Sequence, residues 1–144
     1  MSEAPSLDQT YRLDEQVGFR LRQATQRHTA IFAAHMVEGL TPTQFAAMAK
    51  LFELGAASQN LLGRRTAMDA ATIKGVIDRL RERGFAETRR DPEDGRRLLV
   101  ALTEEGRRIA AQAIDAGRTI TEQTLVPLNA GERRRFLELL QKLA

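Results

Sequence analysis

Four arginines surround a turn near the middle of the chain and offer the clearest chemistry in the sequence. The turn is residues 91–95 (DPEDG), in which Asp-Gly between two alternating segments is a strong hairpin signal. The flanking cations are Arg89, Arg90, Arg96 and Arg97. An arginine at a hairpin tip can enter a narrow DNA minor groove, where the negative potential is enhanced. The cluster therefore predicts contact with DNA, although a solvated surface turn would have the same composition.

The hairpin follows a segment with the periodicity of an amphipathic helix, from Asp69 to Arg83. Asp69 is a suitable N-cap, because its carboxylate accepts hydrogen bonds from backbone N–H groups and its negative charge is stabilised by the positive N-terminal end of the helix. The apolar stripe comprises Ile73, Val76, Ile77 and Leu80, spaced three and four residues apart. The other side carries Ala71, Thr72, Lys74, Gly75, Asp78 and Arg79. Small side chains let the backbone approach a groove, and donors near the N-terminal end reach base edges, so we predict a recognition helix.

A second short helix is predicted just before this one. Ser58 can cap it, and it runs from Gln59 to about Arg65 before a three-residue connection, 66–68. Two helices joined in this way are typical of a helix-turn-helix. The strands of the hairpin are predicted at 85–89 and 98–102. For Arg64, Arg65, Arg81 and Arg83, contact with phosphate and a purely solubilising role remain open alternatives.

Longer amphipathic helices flank this unit on both sides. One is predicted over 13–37, ended by Gly39, and another begins at Thr41-Pro42 and runs to about Leu54. A helix over 104–125 and a last one capped by Asn129 follow the hairpin. The shared face of the first helix comprises Val17, Leu21, Ala24, His28, Ile31 and His35.

Helices at both chain ends have little to pack against within a chain of this size. We therefore predict that they pack on each other and on a second copy, which makes a two-fold dimer. The predicted fold is mainly α with a small β-hairpin wing: a winged helix-turn-helix with N- and C-terminal helices forming a dimerisation region. The chain is expected to be one domain, 1–144, with dimerisation helices at about 13–37 and 104–144 and a winged lobe at about 41–103. Residues 1–11 are expected to be a loose arm.

Composition excludes several other classes of protein. The 144 residues are 42% hydrophobic and 28% charged, which is ordinary for a globular protein. There is no cysteine, and no Gly-rich phosphate loop or Ser-His-Asp arrangement, so neither an enzyme nor a cofactor is predicted. No apolar run reaches the roughly 20 residues of a membrane span, and no signal peptide is recognised, so a cytoplasmic protein is expected. Residues 58–100 hold 10 Lys and Arg against 7 Asp and Glu, a net charge of +3 that suits phosphates.

The combined motifs resemble the MarR family of bacterial transcriptional regulators. The sequence GLTPTQFAAMAKL at 39–51 looks like the family's "LTxxQ" helix. The stretch from Asp69 to Arg107 resembles the recognition helix, with "DRLxxxG", and the wing, with "RDPxDGRR…LT.EG". The resemblance covers roughly 13–143. One departure is SQNLLGRR at 58–65, where many members have an acidic residue and "LA".

The resemblance implies a homodimer that binds a pseudo-palindromic operator in double-stranded DNA, represses transcription and is released by a small ligand. It also implies which residues contact DNA. Arg96 matches the wing arginine of the minor groove, steadied by Asp94. The predicted DNA-binding residues are Ser58, Gln59, Arg64, Ala71, Thr72, Lys74, Gly75, Arg79, Arg90, Asp94, Arg96 and Arg97.

The resemblance further implies an effector pocket between the dimerisation helices and the winged lobe. His28 and His35 could line it, or could be boundary histidines bonded to the backbone or the dimer partner. Arg20 or Arg22 could grip the carboxylate of an aromatic acid, since guanidinium binds carboxylate in a bidentate manner. Phe19, Phe45 and Met48 could form apolar walls. A zinc site is least favoured, because seven residues separate the histidines by roughly 10 Å, too far for one metal without other ligands.

The identity of the effector stays open at this level. Hydroxybenzoates, hydroxycinnamates or their CoA thioesters, and hydroxylated nicotinates all agree with the resemblance. The alternative function is a helical protein-interaction module in which the winged unit binds protein, because a fold does not fix a function.

Overall fold

A computed structural model describes residues 10–144, so nearly all of the predicted N-terminal arm lies outside the described residues. The described chain contains six α-helices and three short strands. In order they are α1 (Val17–His35), α2 (Pro42–Leu54), β1 (Ala56–Ala57), α3 (Gln59–Arg65), α4 (Ala70–Glu82), β2 (Ala86–Arg90), β3 (Leu98–Leu102), α5 (Glu104–Leu125) and α6 (Ala130–Lys142). The predicted mainly helical fold with a β-hairpin wing is confirmed.

The predicted starts of the capped helices α2 to α6 are confirmed, because local side chains satisfy free amides in each first turn. Thr41 and Gln44 form a capping box at α2, and Asn129 forms another with Glu132 at α6. Thr103 caps α5, where the Gly106 amide donates to its hydroxyl. These caps fix where each helix enters the fold.

The first helix differs from its prediction. Leu13–Glu15 forms a separate 3₁₀ turn, and Gln16 is extended (ψ 142°), so α1 begins at Val17 rather than Leu13. The predicted apolar face is not covered within the chain, since Val17 and Leu21 are 66% and 44% exposed. Phe32 is instead the buried residue of α1.

No described helix is long and apolar enough to cross a membrane.

A three-stranded antiparallel sheet completes the winged lobe, in the order β1-β3-β2. The hairpin pairs Ala86 with Leu102 and Arg90 with Leu98, one residue later on β2 than predicted. No local pattern predicts β1, whose two residues pair with Ala101 and Val100. This extra strand ties the segment before α3 to the base of the wing.

The core of the lobe lies between α2, α3, α4, the sheet and the first half of α5. Its fully buried side chains are Met48, Leu51, Leu62, Ile73, Leu80 and Ile109. The whole predicted stripe of α4 is buried, which turns the opposite side of that helix toward solvent.

Candidate DNA interface and internal cavities

The helix-turn-helix is held at a close approach between α3 and α4. A Cβ added at Gly63 would lie 3.1 Å from the Met68 carbonyl oxygen and 3.2 Å from Ile73 Cγ2, so this crossing depends on glycine. The Thr72 amide donates to Asp69 Oδ1 at 2.7 Å, and this backbone hydrogen bond holds the pKa of Asp69 below its ordinary value. The predicted cap of the recognition helix is thereby confirmed.

Ser58 and Gln59, predicted to contact DNA, begin α3. The Leu61 amide donates to Ser58 Oγ at 3.2 Å, so this hydroxyl already serves as the N-cap. Both residues are only partly exposed, whereas Arg64 at the other end of α3 is exposed. Among the described residues, Arg64 has no hydrogen bond or ion pair, which leaves its guanidinium available.

The predicted recognition face is exposed along α4. Ala71, Thr72, Lys74 and Arg79 are exposed, and Gly75 is partly so. Lys74 Nζ donates to Asp78 Oδ2 at 2.9 Å, and this hydrogen bond is the main cause that lowers the pKa of Asp78. The helix therefore presents small, hydroxyl and basic groups side by side, with one cation paired internally.

The wing is a hydrogen-bonded loop rather than a loose turn. The Asp91 amide donates to the Arg97 carbonyl at 2.9 Å, and Arg90 Nη1 donates to the Gly95 carbonyl at 3.0 Å. The Arg96 amide donates to Asp94 Oδ1 at 3.1 Å. Asp94 thus orders the backbone of Arg96, and no described residue pairs with the Arg96 or Arg97 side chain.

The base of the wing is locked to the end of α4. Thr103 Oγ1 donates to the Gly84 carbonyl at 2.6 Å, and the Thr103 amide donates to the Phe85 carbonyl at 3.1 Å. A Cβ at Gly106 would overlap that same Phe85 carbonyl, so α5 can start here only with glycine. Recognition helix and wing are therefore held in one rigid arrangement.

The Arg83 side chain is held within the chain and is therefore not free to contact phosphate. Its Nη2 donates to the Glu38 carbonyl at 2.6 Å, and its guanidinium lies over the Phe85 ring, 4.7 Å from the centroid. Glu38 has a positive φ of 57°, so the arginine steadies a strained α1–α2 connection. Arg65 and Arg81 stay exposed, and both alternatives remain for them.

An inner cavity of about 220 Å³ lies where α1, α2 and α5 meet. It contains His28 and Phe45, two of the residues predicted to bind an effector. The Phe45 ring packs edge-on against Phe32, with ring centroids 6.1 Å apart. The full lining is His28, Phe32, Pro42, Phe45, Gly117, Ile120 and Thr121.

His28 is the most polar group of this cavity. Its Nδ1 lies 2.9 Å from Thr124 Oγ1 on α5, and its Nε2 has no hydrogen-bond partner among the described residues. The neighbouring Arg27 donates to the Thr124 and Gln123 carbonyls at 2.6 and 3.0 Å, near the C-terminal end of α5. Two consecutive residues of α1 thus bind the C-terminal end of α5. The positive charge of Arg27 suits this end, because the C-terminus of a helix carries a partial negative charge.

The structure does not bring the other predicted effector residues to this cavity. Met48 is completely buried in the core of the winged lobe. Arg20 is exposed and donates to Gln23, Arg22 and His35 are exposed, and Phe19 is partly buried elsewhere on α1. Sequence reasoning missed Phe32, Gly117, Ile120 and Thr121, because those on α5 reach the cavity only through tertiary packing. The described residues hold no group of three metal-ligating side chains, so the zinc alternative gains no support.

Two further cavities border the inner one. One of about 410 Å³ shares Phe45 and Gly117 with it and is lined also by Arg118. Another, of about 370 Å³, is mainly apolar and lies between α1, α5 and α6, with His28, Leu21 and Phe136 in its wall. A wider polar groove of about 600 Å³, beside Asp78 and Glu87, lies between the recognition helix and the wing.

This combination of a capped helix-turn-helix and an arginine-tipped wing defines a winged-helix DNA-binding protein. The MarR family model matches residues 40–98. The HTH-type transcriptional repressor NicR of Pseudomonas putida is 42% identical over 143 residues, 99% of this chain and 90% of that protein. The chain belongs to the MarR family of transcriptional regulators, and the predicted resemblance is confirmed.

Solved structures agree with this assignment. A probable transcriptional regulator from Pseudomonas aeruginosa superposes with a TM-score of 0.88 at 52% identity, covering 92% of this chain and all of the other. BpsR of Bordetella bronchiseptica, whose DNA binding is regulated by 6-hydroxynicotinic acid, gives a TM-score of 0.87 at 39% identity. That match covers 93% of this chain and 96% of BpsR.

Proposed function

We propose that the protein is a homodimeric repressor that binds a pseudo-palindromic operator and is released by a single-ring hydroxylated aromatic or heteroaromatic carboxylate. The observation that carries the proposal is the inner cavity where the arm helices α1 and α5 meet α2 of the winged lobe. A ligand there touches both halves of the molecule and can alter how they are arranged. This activity requires binding alone and no catalytic step.

The exposed face of α4 and the ordered wing support DNA binding. Thr72, Lys74 and Arg79 would lie in the major groove, with Ala71 and Gly75 allowing close approach. Arg96 has an ordered backbone and no internal partner, which suits insertion into the minor groove. Arg64, Arg90 and Arg97 would add phosphate contacts.

Exposed apolar side chains at both chain ends support a homodimer. Helix α6 has no buried residue. Large apolar side chains on it and just after it are exposed: Phe136 by 38%, Leu137 by 52%, Leu139 by 43% and Leu143 by 72%. An apolar face of this extent on a monomer marks an interface. Segments 13–37 and 104–144 would form the dimerisation region and 41–103 the DNA-binding lobe.

The size of the inner cavity favours a small effector. At about 220 Å³ it is below the roughly 300–1,000 Å³ of pockets for drug-sized ligands, so a single ring would fill it. Phe32 and Phe45 would form one apolar wall against the ring, and His28 and Thr121 would offer polar groups to a carboxylate or hydroxyl. The relative BpsR, whose DNA binding is regulated by 6-hydroxynicotinic acid, supports a hydroxynicotinate as the first candidate.

The test is a nuclease footprint on the DNA beside the protein's own gene. We expect protection of a palindrome whose half-site centres lie about one helical turn, roughly 34 Å, apart. Affinity should fall by a factor of about 10³ or more between 50 and 200 mM salt if roughly six phosphates are contacted. Adding 6-hydroxynicotinate should abolish protection. Absence of any protected site at low salt would overturn the proposal and favour the protein-interaction alternative.

A further inference from the structure

Gly75 and Arg79 lie one turn apart on the recognition helix, with the arginine head group beside the glycine. A Cβ built at Gly75 would lie 3.3 Å from Arg79 Nη1, which is tighter than ordinary van der Waals contact. The guanidinium therefore lies back over the bare backbone of Gly75. This direction agrees with the tilt of helical side chains toward the N-terminus, which brings residues i and i+4 together.

We propose that Gly75 is a positioning residue for Arg79, and that it sets how strongly the recognition helix binds its operator. The inference rests on the proposed function, since it assumes that α4 reads DNA. The guanidinium of Arg79 has no hydrogen bond or ion pair with any described residue, so the bare backbone of Gly75 is the surface against which it would be oriented. The donors of that group therefore stay free for DNA.

Lys74, the neighbouring cation of α4, is oriented in a different way. Lys74 is oriented by a carboxylate, with Nζ 2.9 Å from Asp78 Oδ2, and must give up or share that partner when it meets a phosphate. Arg79 is oriented without such a partner. A side chain that is already ordered loses less rotamer freedom on binding, so its contact with DNA is stronger.

A glycine at this position is costly to the helix itself. Gly75 lies in the middle of α4, where alanine is the better helix former because glycine loses more backbone freedom on folding. Its space is not required by the packing of the core, since Arg79 Nη1 is the sole atom found within 4 Å of an added Cβ. The lack of a side chain at Gly75 therefore affects the exposed face of α4, where Arg79 lies.

Close approach of the backbone to DNA is the competing explanation for Gly75, and a double-mutant cycle separates the two. Four proteins are compared: wild type, Gly75→Ala, Arg79→Ala and the double variant, each on the footprinted operator duplex at one salt concentration. We expect Gly75→Ala to weaken binding by about fivefold, the lower end of what one good contact contributes. In the Arg79→Ala background the same change should alter binding less than twofold, because the group it displaces is absent.

Stability gives an independent readout of opposite sign. Gly75→Ala should raise the melting midpoint by about 3 °C, because the helix gains alanine and the displaced guanidinium is exposed. Weaker DNA binding by a more stable protein cannot be explained by damage to the fold. Gly131→Ala is the control for the same exchange on another helix, since a Cβ there meets only Asn129 Oδ1 at an ordinary 3.5 Å. Because α6 belongs to the proposed dimerisation region, the control protein is first shown to be a dimer by light scattering, and its DNA affinity should then equal that of the wild type.

The contact itself is tested without DNA. The Nε–Hε resonance of Arg79, identified by its loss in Arg79→Ala, should shift in Gly75→Ala, and an unchanged resonance would overturn the proposed contact. An equal loss of affinity in both backgrounds would overturn the positioning role in favour of direct approach. Failure of the proposed function would appear in the wild type as no protected operator, and it would remove the DNA half of this proposal before any variant is compared.

Discussion

Substitution of Gly117 by alanine should uncouple effector response from DNA binding. The added Cβ would lie 2.7 Å from Phe45 Cζ and 3.4 and 3.5 Å from the two Cε atoms of the ring. Carbon atoms in contact prefer about 3.5–4.0 Å, so the tip of the ring must move by about 1 Å. Because Phe45 lines both the inner cavity and the 410 Å³ cavity, the displaced ring would change the shape of that shared wall.

The energetic consequences of this change partly cancel. Alanine in place of glycine stabilises the middle of a helix by about 1 kcal/mol, whereas an added methyl in a packed site costs roughly 1–3 kcal/mol. The net effect on the free energy of unfolding is therefore between about 0 and 2 kcal/mol of destabilisation. Without effector the tip of the ring has cavity space to enter, so α2 can stay in place and operator affinity should stay within about twofold of wild type.

The assay is fluorescence anisotropy of a labelled operator duplex titrated with 6-hydroxynicotinate at fixed protein concentration. We expect Gly117→Ala to need at least about tenfold more effector for half-release, since a 1 Å misfit in a cavity of about 220 Å³ removes much of the ring's contact surface. Gly131→Ala on α6 is the matched control. Release at the wild-type effector concentration would refute the assignment of this cavity.

Three further predictions test the wing, the histidines and the wing base. Arg96→Ala should weaken operator binding by more than about tenfold at matched salt and leave the dimer intact by light scattering, because its side chain has no internal partner; an unchanged gel shift would reject the wing contact. His28→Ala should raise the effector concentration for release, whereas His35→Ala should not, since only His28 lines the cavity; equal responses in the titration would contradict this. Gly106→Ala should lower the melting midpoint by about 5 °C or more, because its Cβ overlaps a backbone carbonyl that cannot move alone; an unchanged midpoint in a thermal melt would show that α5 can shift freely.

Much of the winged lobe could be predicted because its signals are local in the sequence. Caps such as Asp69 and Asn129 act within three residues, and the stripe from Ile73 to Leu80 follows from helical periodicity alone. The turn at 91–95 is likewise fixed by its own residues. Each of these signals needs no knowledge of distant parts of the chain, and each is confirmed.

Contacts between distant segments could not be predicted in the same way. The pairing of Ala56 with Ala101 and the bond from Arg83 to Glu38 join residues 45 positions apart, and no local pattern announces them. Gly63, Gly106 and Gly117 are visible as glycines, but the atoms that exclude a Cβ at each belong to other elements. The lining of the inner cavity was the least predictable feature for this reason, since the cavity is built from three helices.

The position of Phe45 on α2 indicates how a ligand in the inner cavity would affect the distant DNA-binding face. Phe45 lies in the wall of the cavity, whereas Met48 and Leu51 of the same helix are packed in the core with Ile73 and Val76 of the recognition helix. Close-packed interiors transmit displacement instead of absorbing it, so a ring seated against Phe45 moves α2 and α4 as one body. In a dimer whose recognition helices must lie about one turn of DNA apart, a small rotation of each lobe changes that spacing, and the altered state no longer fits both half-sites. The effector therefore does not need to touch the DNA-binding residues to release the operator.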